Sequence, residues 1–186
     1  GYKGEGKAEK LKIYCEERGI GCDIMPPVML DGRVVSSTYI RKLIADGDME
    51  EAARYLGHPH TLSDTVHSGY HIGRKLGTPT INMHFPEGVI IPRHGVYAAK
   101  VYLEGGESYV AVTNVGIRPT VGNGNSVTVE SHLLDYSGNL YGRQARVEFY
   151  KFLRPERKFS GFEELSTQIR RDTESAKEYF ESRDKK

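Results

Sequence analysis

Residues 96–115 read Val-Tyr-Ala-Ala-Lys-Val-Tyr-Leu-Glu-Gly-Gly-Glu-Ser-Tyr-Val-Ala-Val-Thr-Asn-Val. Two runs rich in β-branched and aromatic residues, Val96–Leu103 and Ser108–Val115, flank Gly105-Gly106, which supplies the positive φ angles of a tight hairpin turn. So short a link permits only antiparallel pairing, because a parallel crossover needs a dozen or more residues. On either side the same period-two alternation recurs between turn signals, at Thr61–Ser68, Thr80–His84, Ser126–Leu134 and Tyr141–Leu153. That makes six strands. Ser137-Gly138-Asn139 is expected to join the last two as a second hairpin. The chain's 21 glycines, with 12 tyrosines against 6 phenylalanines and no tryptophan, suit β-structure with many tight connections and exclude an all-helical chain.

After the last strand, Ser160 is placed to cap a helix with Glu163 at the third position. Phe162, Leu165, Ile169, Ala176 and Phe180 form its apolar stripe. Six short strands closed by one terminal helix fit a small Greek-key barrel better than an open sheet. Upstream the pattern is α/β: a helix over 7–18 stopped by Gly19, a short strand Gly21–Met25, a helix capped by Ser37, and a second opened by Asp48 and closed by Gly57. Two domains are therefore expected, 1–57 and 58–186.

A net charge of +1 over 186 residues gives no field that would gather nucleic acid or an anionic membrane. No run approaches the roughly 20 apolar residues of a membrane span, and the first residues have no signal-peptide pattern. A cytoplasmic protein is expected, with Cys15 and Cys22 as reduced thiols. Oligomeric state is not readable.

Candidate chemistry begins in the stretch from Gly69 to Asn82. Gly69, Gly73 and Gly77 recur every four residues around Arg74 and Lys75. Such a loop is first a set of structural turns, and second a cradle whose N–H groups approach phosphate. It is neither a Walker loop nor a dinucleotide-binding turn. Thr80 and Asn82, two apart on a strand, share a face. They either satisfy local backbone or offer hard oxygen donors to a Mg²⁺ that arrives with nucleotide phosphates. Glu130 shares its face with Thr128 and His132, and is either a solvated carboxylate or a general base for a hydroxyl. His58, His60, His67 and His71 cluster in sequence, but no HExxH is present and no cysteine lies near, which argues against structural zinc. Asn114-Val-Gly-Ile-Arg-Pro-Thr120 is expected to end a strand in a sharp turn, with Gly122 to Asn125 as a flap. Arg154 to Phe159 offers cations and an aromatic ring between the last strand and the helix.

Seven segments in order resemble the riboflavin kinase module of bacterial bifunctional riboflavin kinase/FMN adenylyltransferases. They are Leu76 to Asn82, Gly95 to Ala98, Asn114 to Thr120, Glu130 to Asp135, Tyr141-Gly142, Leu153 to Phe159, and Phe162 to Leu165. The resemblance spans Thr61 to Phe180. It implies a six-stranded barrel that transfers the γ-phosphoryl of ATP to the 5′-hydroxyl of riboflavin, giving FMN and ADP. Thr80 and Asn82 then correspond to the Mg²⁺ ligands and Glu130 to the base. Gly69, His71, Gly73, Lys75, Gly77 and Pro79 fall in the ATP-binding loop, and Asn114, Arg118, Arg154 and Phe159 are the expected substrate contacts. Thr78 and Ile81 depart from the family pattern, which often has an aromatic and an alanine there. Residues 1–57 resemble the end of the Rossmann-like adenylyltransferase module, with Ser36, Ser37, Thr38 and Arg41 in its phosphate-binding motif. The module's other nucleotide motif has no counterpart, so FMN adenylylation is expected to be absent from this chain. A non-catalytic flavin- or nucleotide-binding barrel is the alternative.

Overall fold

The computed structural model describes residues 6–67, 80–120 and 124–185. It divides into two compact units, 1–36 and 37–186. The first unit holds helix α1 (Ala8–Glu16) and a hairpin of β1 (Met29–Leu30) with β2 (Arg33–Val34). Gly19, at φ 64°, follows the helix as expected. The expected strand at Gly21–Met25 does not form, and pairing falls at 29–34 instead. Asp31 and Gly32, at φ 49° and 75°, supply both positive-φ positions of a type I′ turn. Pro26-Pro27, next to the expected strand, offers no N–H to a ladder.

The second unit opens with α2 (Ser37–Asp46) and α3 (Met49–Leu56). Asp48 caps α3 by accepting from the Glu51 N–H at 3.2 Å, and Gly57 ends it at φ 80°. Both helices belong to the core of this unit. Leu43, Ile44, Met49, Ala52 and Tyr55 are buried, and the Ile44 carbonyl accepts from the Arg93 N–H at 3.3 Å. The compact division thus falls ahead of the change from helix to strand at 57/58.

Strands β3 (His60–Thr65), β4 (Thr80–His84), β5 (Gly95–Leu103), β6 (Ser108–Thr120), β7 (Gly124–Leu133) and β8 (Gln144–Arg154) form one antiparallel sheet in the order β3-β8-β5-β6-β7-β4. The sheet curls until its edge strands meet at one bridge, His67 opposite Asn82. The expected β7–β8 hairpin is not made. β8 crosses to the far side of the β5-β6-β7 meander and pairs with β5 and β3, the fourth-strand placement of a Greek key. β6 likewise does not stop near Asn114 but stays paired with β7 as far as Thr120.

The concave face is the core. Leu62, Met83, Tyr97, Val101, Val115, Val129, Val147 and Phe149 are each about 1% exposed or less, and each such side chain stabilises the fold by roughly 1.5–3 kcal/mol. Helix α4 (Phe162–Asp184) lies on the convex face. Its second half packs Ala176, Tyr179 and Phe180 onto Ala98, Val110, Val112, Tyr150 and Leu153. The small Ala98 lets the helix approach the strand closely. Phe162, expected in the stripe, is 59% exposed. The cap is also shifted: Gly161 is the N-cap, and Ser160 donates its N–H and hydroxyl to Glu164 (2.9 and 2.8 Å) rather than pairing with Glu163. Among the described residues no helix is long and apolar enough to cross a membrane.

Candidate active site

Strand register carries one residue from each of five strands into a single row. Asn82 on β4 lies opposite Glu130 on β7, Glu130 opposite Asn114 on β6, Asn114 opposite Val96 on β5, and Val96 opposite Arg154 on β8. Directly opposed residues share a face of the sheet, so three polar side chains and a guanidinium are collected on the convex side. The next row contains Thr80, His132, Val112 and Ala98. The period-two expectation for β7 holds, since Val129, Ser131 and Leu133 are buried while Thr128, Glu130 and His132 are half-buried on the opposite face.

Two clefts open beside these rows. One, of about 280 Å³, has Thr80, Asn114, Glu130 and Arg154 on the sheet side. Phe159 and the first half of α4, through Leu165, Ile169 and Asp172, close it. The other, of about 160 Å³, is lined by Asn82, Leu133 and the 136–141 loop, and Thr80 borders both. Thr80 Oγ1 donates to Glu130 Oε1 at 3.3 Å. Asn114 Nδ2 donates to Glu156 Oε1 at 3.0 Å. Phe159 has the Arg154 and Arg157 guanidinium carbons 5.7 and 4.7 Å from its ring centroid, within cation–π range. A carboxylate beside a hydroxyl, at the mouth of a largely apolar cleft rimmed by guanidinium groups, is equipped to take a proton from an alcohol while cations hold an anion nearby.

The structure brings together Thr80, Glu130, Asn114, Arg154 and Phe159 in the first cleft, with Asn82 in the second. Gly69, His71, Gly73, Lys75, Gly77 and Pro79 lie outside the described residues, as does the side chain of Arg118, whose backbone pairs with Ser126 on β7. Ser37, Thr38 and Arg41 lie on α2 and line neither cleft. Arg41 Nη1 donates to Ser37 Oγ at 3.1 Å. Asp172 was not foreseen. It is buried and receives Arg154 Nε and Nη2 together with Gln168 Nε2. Its signal was present, because Leu165, Ile169 and Asp172 follow one helical face, and a carboxylate on an apolar stripe requires a buried partner.

Residues 56–180 match the family model described as Flavokinase: Riboflavin kinase. A bifunctional riboflavin kinase/FMN adenylyltransferase of Listeria monocytogenes is 36% identical over 180 residues, covering 97% of this chain and 57% of that protein. The Haemophilus influenzae protein of the same name is 38% identical over 182 residues, covering 98% and 58%. The chain therefore spans about half the length of the curated relatives it matches. A crystal structure titled as a macrolide-efflux protein from Streptococcus pneumoniae superposes with a TM-score of 0.82 at 31% identity, covering 93% of this chain and 55% of that one. Riboflavin kinase from Trypanosoma brucei shares the fold at a TM-score of 0.50 and 20% identity, covering 65% and 79%. With 56–180 inside the family model and relatives of that name matching nearly its whole length, the chain belongs to the riboflavin kinase family.

Proposed function

We propose that this chain transfers the γ-phosphoryl of Mg-ATP to the 5′-hydroxyl of riboflavin, giving FMN and ADP, on a Greek-key barrel formed by residues 58–186. The observation that carries this reading is the position of Glu130, hydrogen-bonded to Thr80 and directly opposite Asn82. Glu130 takes the proton of the attacking hydroxyl at a carboxylate oxygen. Phosphoryl transfer depends mainly on positioning and charge neutralisation, so one carboxylate suffices. The hydroxyl of Thr80 and the amide oxygen of Asn82 are hard, neutral donors, fitted to a Mg²⁺ that keeps several waters and phosphate oxygens. When bound, that ion neutralises charge developing on the transferred group. Asn114, Arg118, Arg154 and Phe159 hold the flavin substrate, with the Phe159 ring as the apolar surface. The ATP phosphates are assigned to Gly69, His71, Gly73, Lys75, Gly77 and Pro79.

Residues 1–57 are read as the end of an FMN adenylyltransferase module of Rossmann-like type, with Ser36, Ser37, Thr38 and Arg41 its phosphate-binding motif. Incubation with riboflavin, ATP and Mg²⁺ followed by flavin separation tests the kinase reading. FMN is expected in proportion to enzyme. Flavin bound without FMN formed would instead identify a binding barrel.

A further inference from the structure

Asp64, His67 and His84 line neither cleft, yet they converge where the two edge strands of the sheet meet. One ligand-capable atom from each lies within 4.8 Å of the other two. His67 Nε2 is 3.2 Å and His84 Nδ1 4.0 Å from Asp64 Oδ2, and the two imidazole centroids are 4.9 Å apart. The carboxylate is already fixed, because Oδ2 accepts from the His84 N–H and Oδ1 from the Thr65 N–H, each at 2.8 Å. Both rings are about half exposed, 46% and 47%, and can rotate. Tetrahedral zinc with bonds near 2.0–2.1 Å places its ligand atoms about 3.3 Å apart. Closing from separations of at most 4.8 Å to that spacing takes rotation of both exposed rings.

We propose that Asp64, His67 and His84 form a site for a borderline divalent transition metal such as Zn²⁺, joining β3 to β4. The sequence argued against zinc because it holds no HExxH and no cysteine near its histidines. The fold supplies His84 from another strand. Two imidazoles and a carboxylate favour Zn²⁺ or Co²⁺ over Mg²⁺, which prefers oxygen. The site is therefore distinct in preference from Thr80 and Asn82.

The test is a Co²⁺ titration of the chelator-treated full chain, followed by visible absorption. One equivalent should give a ligand-field band that Zn²⁺ abolishes and excess Mg²⁺ does not. His84→Ala, His67→Ala and Asp64→Asn should each weaken binding at least about tenfold. Zn²⁺ should raise the thermal midpoint of the parent chain, but not of His84→Ala. No band, or a band that survives His84→Ala, would overturn the proposal. So would a thiolate charge-transfer band lost on Cys15→Ser, which would place the metal on Cys15 and Cys22.

Discussion

Arg154 at the end of β8 grips Asp172 on α4 with two nitrogens, Nη2 to Oδ2 at 2.7 Å and Nε to Oδ1 at 2.9 Å. The pair ties the helix to the sheet at the cleft wall and fixes the guanidinium that faces Phe159. Its side chains are only 20% and 6% exposed, so the cost of dehydrating both charges is recovered only while both are present.

Removing one partner is therefore worse than removing both. Asp172→Ala should cost about 3–5 kcal/mol, the scale for stranding a buried charge. Arg154→Met combined with Asp172→Leu should recover most of that loss. Urea unfolding of Arg154→Met, Asp172→Leu and their double gives the cycle, with Asp172→Ala measured beside them. A double variant no more stable than Asp172→Ala would show that packing, not charge, sets the cost.

Glu130→Gln keeps the size and the acceptor for Thr80 Oγ1 but cannot take a proton. Turnover should fall by about 10²–10⁴, with riboflavin binding nearly unchanged. Thr80→Ala should act differently, raising the Mg²⁺ concentration needed for half-maximal rate. Initial rates across a Mg²⁺ series separate the two, and an unchanged rate in Glu130→Gln would remove it from the mechanism.

Which side chains share a face of a strand was legible from local alternation, whereas the chemical roles of Thr80, Asn82 and Glu130 came from the family resemblance, because alternation alone fits backbone-bonded or solvated side chains equally well. Val127 to Leu133 already showed which residues share a face with Glu130, and Thr80–His84 was placed without error. Pairing between strands distant in sequence was not legible. Ser137-Gly138-Asn139 is a sound turn signal, but it marks a bend within the crossover from β7 to β8 and not a hairpin. A turn dictates local direction, whereas the partner of β8 is set by burial of Val147 and Phe149 in the curled sheet. Asp172 was missed for a related reason: its partner lies 18 residues away, across a strand–helix junction.

Gly95 opens β5 at φ +150°, and a Cβ there would lie 2.5 Å from the Arg154 carbonyl oxygen and 2.5 Å from Phe152 Cε2. Neither the backbone of β8 nor a ring packed against Tyr97 can yield cheaply. Gly95→Ala should destabilise by more than about 1–3 kcal/mol, combining backbone strain with overpacking. Gly106→Ala serves as control. Its φ of +86° is strained too, but open space surrounds its Cβ, so thermal unfolding should show a smaller loss.

His60 supplies a pH dependence. The ring is 9% exposed, sits near Phe149, and its Nε2–H donates to the Ile90 carbonyl at 3.0 Å. Burial pushes its pKa below the usual 6.5. The bond to Ile90 opposes that shift, and the nearby His58 adds to it. Below pH 6.5 the unfolded chain takes up a proton that the folded chain resists, so stability falls as acidity rises until the lowered folded pKa is reached. Above that window the contribution is complete. The slope is at most about 1.4 kcal/mol per pH unit. Between about pH 7.5 and 5.5, the parent chain should lose more stability than His60→Gln, which has no group titrating there. Urea midpoints at both pH values measure the difference. Equal losses would mean that His60 takes up its proton alike in the folded and unfolded chain.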